Sequence, residues 1–207
     1  MLIIKNLTKQ YKAGKPIFSD ISMRFEQGNG IGIIGPNGSG KTTFLRILSL
    51  NSFPSAGSVT YHGLDIHKKP NDYLKQVGLV HDEESLPKHL TASELLEWIL
   101  RTRGKWDKNA PDKISRIFDL LHLGQMDEPI GTYSTGMKKK VQICAAFIVE
   151  PELFILDEPL RGLDDASRKT VLEMLESAKK RGALLLMASH SMEKVNDLFD
   201  EIIEFPL

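Results

Sequence analysis

The sequence predicts an α/β fold, a parallel sheet covered by helices, with a small helical insertion. Three observations carry that expectation. Short apolar runs recur at Ile31–Ile34 (broken only by Gly32), Val77–Val80, Leu153–Leu156 and Ala183–Ala188. Runs of this length with no polar alternation suit strands buried on both faces. Helical periodicity lies between the runs, and residues 91–124 carry such periodicity with no convincing strand.

The elements follow in chain order. Ile21, Met23 and Phe25 alternate with Ser22, Arg24 and Glu26, the period of a half-buried strand, and Val59 and Tyr61 flank Thr60 in a shorter one. Phe44, Leu45, Ile47 and Leu48 give a helical stripe after the first apolar run. In the insertion, Thr91-Ala92-Ser93-Glu94 fits a capping box, in which the threonine and the glutamate three residues on satisfy each other's backbone N–H groups. Leu95, Trp98 and Ile99 follow on one face; Ile114, Ile117, Phe118 and Leu121 form a second, stopped by Gly124. Val171, Leu172, Leu175 and Ala178 precede the last apolar run. The expected organisation is one domain over 1–207, with a core of 1–87 and 132–207 and a helical subdomain of about 88–131.

Composition narrows the class. The 207 residues suffice to bury a core without disulfides or metals. With 27 Lys plus Arg against 27 Asp plus Glu, bulk positive charge cannot hold nucleic acid, and no nucleic-acid partner is expected. At 41% hydrophobic and 26% charged the chain is not disordered. The single cysteine, Cys144, excludes an internal disulfide framework and suits a reducing compartment. No stretch reaches the roughly 18 apolar residues of a membrane span, and Met1–Lys5 lacks the build of a signal peptide. A cytoplasmic protein is expected, with any membrane involvement supplied by a partner.

Two motifs carry chemistry. Gly35-Pro36-Asn37-Gly38-Ser39-Gly40-Lys41-Thr42-Thr43 matches GxxxxGK[ST], between an apolar run and a helical stripe. Its glycines let backbone N–H groups turn in around phosphate oxygens, and the helix N-terminus adds partial positive charge. Lys41 would reach the β- and γ-phosphates, Thr42 would ligate Mg²⁺, and Thr43 would donate to the α-phosphate. Leu153–Leu156 ends in Asp157-Glu158, at the carboxyl end of a strand, where open α/β sheets bind ligands. Asp157 would hold Mg²⁺ through water, and Glu158 would orient or deprotonate the attacking water. His62, His67, His81, His89 and His122 show no zinc spacing with cysteine. Lys138–Lys140 reads as a solvated helix face, and Trp98 and Trp106 as packing within the helical insertion.

Further motifs, in order, narrow the reading. Tyr133-Ser134-Thr135-Gly136-Met137 resembles the LSGGQ signature of ATP-binding cassette (ABC) proteins. Leu160-Arg161-Gly162-Leu163-Asp164 looks like that family's D-loop, Ser189-His190 its switch histidine, and Val77–Val80 the strand entering its Q-loop. The resemblance spans essentially the whole chain. It implies a P-loop NTPase, with a RecA-like core, an antiparallel β subdomain and the inserted helices. Two cassettes would pair head to tail, as homodimer or heterodimer. Tyr11 would stack on adenine, the alternative being packing on an edge strand. Ser134, Thr135 and Gly136 would contact the γ-phosphate of ATP held by the partner, His190 would contact it from its own subunit, and Asp164 would couple the two sites.

Three positions depart from the family pattern. Asp82 stands where the Q-loop glutamine is usual, with Glu83 as the neighbouring register; an aspartate can still serve Mg²⁺. Thr135 replaces the first signature glycine, and Met137 the last polar residue. The resemblance is strongest to single-domain subunits of ABC-2 type exporters. It implies an ATPase, with ATP and Mg²⁺, driving transport through a separate membrane permease subunit on the cytoplasmic face. The alternative is a soluble ABC ATPase acting on ribosomes or DNA, against which stand the single cassette and the short helical insert.

Overall fold

The computed structural model describes residues 1–82, 86–124, 127–189 and 196–207. Two sheets build it. Strands β1 (Leu2–Lys12), β2 (Lys15–Phe25), β4 (Ala56–Tyr61) and β5 (Leu64–Asp65) form an antiparallel sheet in the order β2-β1-β4-β5. Strands β3 (Gly30–Ile34), β6 (Val77–Val80), β7 (Leu153–Asp157), β8 (Leu184–Ala188) and β9 (Glu201–Glu204) form a parallel sheet in the order β6-β7-β8-β3-β9.

The apolar runs divide their side chains between two cores. Side chains alternate across a strand, so Leu153 and Ile155 of β7 join one hydrophobic cluster while Phe154 and Leu156 join the other. In β8, Leu184, Leu186 and Ala188 face the first cluster, and Leu185 and Met187 the second. The first cluster contains the antiparallel sheet and helix α1 (Lys41–Leu48). The second contains α3 (Ala92–Thr102), α4 (Ala110–Leu120), α5 (Thr135–Phe147) and α6 (Asp165–Lys180). A short helix, α2 (Pro70–Leu74), precedes β6.

The Thr91 capping box forms: the Thr91 hydroxyl accepts from the Glu94 N–H at 3.1 Å, and the Glu94 carboxylate from the Thr91 N–H at 2.8 Å. The stop of α4 differs from expectation. His122, not Gly124, takes the left-handed conformation (φ 51°), and the Leu123 N–H returns to the Phe118 carbonyl at 2.9 Å. Leu121 and Leu123 are buried, so the chain must turn between them to seal the end of the helix. Trp98 also differs: it is 59% exposed, because Leu95, Leu96 and Leu100 take the buried face of α3. Trp106 is half-buried under the Arg101 guanidinium, 4.3 Å from the ring centre.

Candidate functional site

The phosphate loop leaves the carboxyl end of β3. Gly40 caps α1 with φ 107°, and a Cβ there would come within 2.7 Å of Ile17 Cγ2. A side chain is therefore disfavoured by both backbone and space. The Phe44 N–H donates to the Gly40 carbonyl at 2.9 Å, starting the helix, so its first N–H groups face the loop. Lys41 is 6% exposed, and its ammonium donates to the carbonyls of Gly35 (2.7 Å) and Pro36 (3.0 Å). The Ser39 hydroxyl oxygen is buried without a hydrogen-bond partner, an orphaned polar group at the same loop.

Opposite the loop, β7 ends in Asp157, 5% exposed and accepting a hydrogen bond from the Thr42 hydroxyl. Burial pushes its carboxyl above the ordinary value; the Thr42 bond opposes this, and the charge of Asp82 adds to it. Glu158 then breaks from the strand with φ 48°, its N–H donating to the Ala188 carbonyl at 3.0 Å. A non-glycine residue in that region costs about 1 kcal/mol or more, and such strain collects at functional positions. Asn37–Thr43, Asp82, Asp157 and Glu158 line one cavity of about 360 Å³, joined by Ile17 and Arg161.

The oxygens of Thr42, Asp157 and Asp82 make a hard donor set, which fits Mg²⁺. No group of three or more His, Cys, Asp or Glu among the described residues is arranged to hold a metal ion. Mg²⁺ does not need one, because it keeps waters and phosphate oxygens and takes only one or two carboxylates from protein.

The remaining expected residues lie outside that cavity. Ser134 caps α5, its hydroxyl accepting from the Met137 N–H at 3.2 Å, and Thr135 and Gly136 open the helix. Gly136 packs on the loop after Glu158: a Cβ on it would meet the Gly162 carbonyl at 3.0 Å. Asp164 caps α6, accepting from the Ser167 N–H (2.8 Å) and hydroxyl (2.9 Å), and pairs with Lys140 at 3.1 Å. These bonds hold its carboxyl well below the usual carboxylate range. Tyr11 sits at the end of β1, 64% exposed, with the Lys9 ammonium 4.7 Å from its ring centre. His190 and Glu83 lie outside the described residues.

One expectation is corrected. Lys138–Lys140 is not a solvated face: Lys139 is buried and donates to the His81 carbonyl at 2.9 Å, and Lys140 is held by Asp164. α5 passes close under β6 and the loop after β7, so its charged residues find partners there. Arg161 and Ile17 line the cavity, and sequence reasoning gave neither a place there. Arg161 and Asp82 are 79 positions apart, and no local pattern announces their meeting.

A GxxxxGK[ST] loop closed on its own lysine, sharing a cavity with an acid pair at the end of β7, two strands away in the same sheet, is the arrangement of a P-loop α/β fold. The chain belongs to the ABC transporter family, whose profile matches residues 18–161. It is 33% identical to the ABC transporter ATP-binding protein NatA of Bacillus subtilis over 211 residues, 98% of this chain and 85% of that protein. It is 31% identical to the doxorubicin resistance ATP-binding protein DrrA of Mycobacterium tuberculosis over 206 residues, 98% of this chain. The chain spans 62% of the length of DrrA. A solved ATP-binding subunit of an ABC transporter superposes with a TM-score of 0.92 at 26% identity, over 99% of this chain and 85% of that one. An ATP-binding cassette solved as a post-hydrolysis dimer with ADP and Pi shares the fold, with a TM-score of 0.86 at 23% identity, over 99% of this chain and 94% of that one.

Proposed function

We propose that this chain binds and hydrolyses ATP and powers an ABC transporter through a separate membrane protein. The observation that carries the reading is the buried Lys41 ammonium, held at the centre of its loop and facing Asp157 and Glu158 across one cavity. ATP phosphates would replace the Gly35 and Pro36 carbonyls at Lys41. The backbone N–H groups of the loop from Gly35 to Thr43, and the N-terminus of α1, would surround them. Thr43 would donate to the α-phosphate. Thr42, Asp157 and Asp82 would hold Mg²⁺, which supplies charge neutralisation at the β- and γ-phosphates. Glu158 would orient the attacking water and take its proton, and His190 would contact the γ-phosphate. Tyr11 would stack on adenine from its exposed ring face.

Ser134, Thr135 and Gly136 stand apart from the cavity, which supports their use by a second cassette. In a head-to-tail dimer the N-terminus of α5 would meet the γ-phosphate held by the partner. Closure on ATP and reopening after hydrolysis would drive a permease docked between the Asp82 loop and the helical segment of 88–131. The chain would then lie on the cytoplasmic face of a membrane; no helix among its described residues is long and apolar enough to cross one. The ATP-binding names of its relatives support this reading.

The test is Glu158→Gln. Turnover should fall at least about a hundredfold, while ATP affinity is kept and ATP yields a stable dimer on size exclusion. A near-normal rate defeats the role given to Glu158. A wild-type protein that binds no ATP defeats the whole reading.

A further inference from the structure

We propose that Arg161 is the charge-compensating residue of the phosphate cavity, acting through Asp82 to let a polyanionic nucleotide enter an acidic site. The proposal rests on the nucleotide reading above.

Among the described residues, the cavity is lined by three carboxylates, Asp82, Asp157 and Glu158, and by two cations, Lys41 and Arg161. Lys41 is committed to the loop, with its ammonium on the Gly35 and Pro36 carbonyls. Arg161 is the cation of this lining that is paired with one of its carboxylates, Asp82. Its Nη1 lies 3.2 Å from both oxygens of Asp82. Asp82 lines the same cavity as Asp157 and Glu158, so its charge adds to theirs there. Left alone, Asp82 would repel both Asp157 and an incoming phosphate.

The position of Arg161 is built. Its N–H donates to the Glu158 carbonyl at 3.2 Å, so it sits one tight turn beyond the residue assigned to the attacking water. Leu163 is buried just after it, and Asp164 caps α6, which fixes the far end of the turn. A guanidinium carries five N–H donors in a rigid fork. One nitrogen serves Asp82, so Arg161 can take a phosphate oxygen without releasing the carboxylate. The Arg161 side chain is 70% exposed and that of Asp82 36%. Such an open pair adds little to folding stability, so its contribution is to the site.

The experiment is calorimetric titration of ATP in EDTA, with thermal melts as the folding control. Removing Mg²⁺ isolates the protein's own charges. Arg161→Ala should weaken ATP binding about tenfold with no change in melting temperature. Arg161→Lys, which keeps the charge, should stay within about threefold of wild type. The double variant Arg161→Ala/Asp82→Asn should return to within about twofold, because the charge to be compensated is gone. Unchanged affinity in Arg161→Ala overturns the proposal, and so does a double variant as weak as the single one. Lys41→Ala, which should lose binding, separates the two failures. If wild type binds ATP, Lys41→Ala does not and Arg161→Ala binds normally, the nucleotide reading stands and this proposal falls. If wild type binds no ATP, both fall.

Discussion

The phosphate loop and the signature turn are built to similar standards on different cores. The loop rests on the cluster of Ile33, Phe44, Leu48 and the antiparallel sheet; the turn at Ser134 rests on the cluster of Leu96, Phe118, Ile143 and Leu175. Each is finished locally. The loop satisfies its lysine with its own carbonyls, and the turn satisfies α5 with the Ser134 cap. Yet the cavity at the loop includes none of Ser134, Thr135 or Gly136. The contrast teaches that the two motifs stand apart in one chain, as the two half-sites proposed above require. A single shared sheet carries both, since β7 and β8 send alternate side chains to the two cores.

The largest expected effect breaks or keeps that division directly. Lys41→Ala and Ser134→Glu should each lower turnover at least about a hundredfold alone. The first should do so by losing ATP, the second while still binding it. Mixed in equal amounts, the two inactive proteins should recover about a quarter of the wild-type rate, because half the dimers are mixed and each contains one intact composite site. The steady-state ATPase rate of the mixture checks this. No recovery would mean that both motifs serve a site within one chain.

A smaller effect tests whether the two halves are energetically separate. Thr91→Ala removes the hydroxyl that accepts from Glu94 and weakens the start of α3, in the core beneath the signature turn. The cost should be about 1 kcal/mol in urea unfolding. ADP affinity, read on the other half, should not move. A change in affinity would show that the helical segment supports the phosphate cavity as well.

Legibility followed range in sequence. The Thr91–Glu94 capping box and the loop Gly35–Thr43 are local, and their residue types state their geometry within a few positions. The buried strands were legible because burial on both faces leaves a continuous apolar run. β9 was not: Glu201–Glu204 has acids at both ends, and it becomes a strand only by pairing with β3, about 170 residues earlier. The same holds within the site. Glu158 and Asp157 announce themselves at a strand end, but the Arg161–Asp82 and Lys140–Asp164 pairs join segments brought together by the fold. A run of three lysines reads as solvent-facing by composition, and only the course of α5 under His81 and Asp164 makes it otherwise.

The smallest effect concerns Asp164, which stands between the two halves. Its carboxylate is held below its ordinary range first by the Ser167 N–H, then by the Ser167 hydroxyl and Lys140. A carboxyl with a lowered folded value stabilises the fold above its unfolded value and loses that contribution as pH falls through the folded one. Asp164→Ala should therefore lower the melting temperature by a few degrees near neutral pH, and the difference should narrow below about pH 4. Asp164→Asn keeps a capping acceptor but loses the attraction to Lys140, so its loss should be smaller and should shrink with added salt. Melting curves of the isolated, nucleotide-free protein across pH and salt check both. If Asp164→Ala melts like wild type at every pH, the cap is not what this carboxylate is for. Its charge would then belong to the contact between two cassettes, and the division drawn above would run through residue 164 rather than beside it.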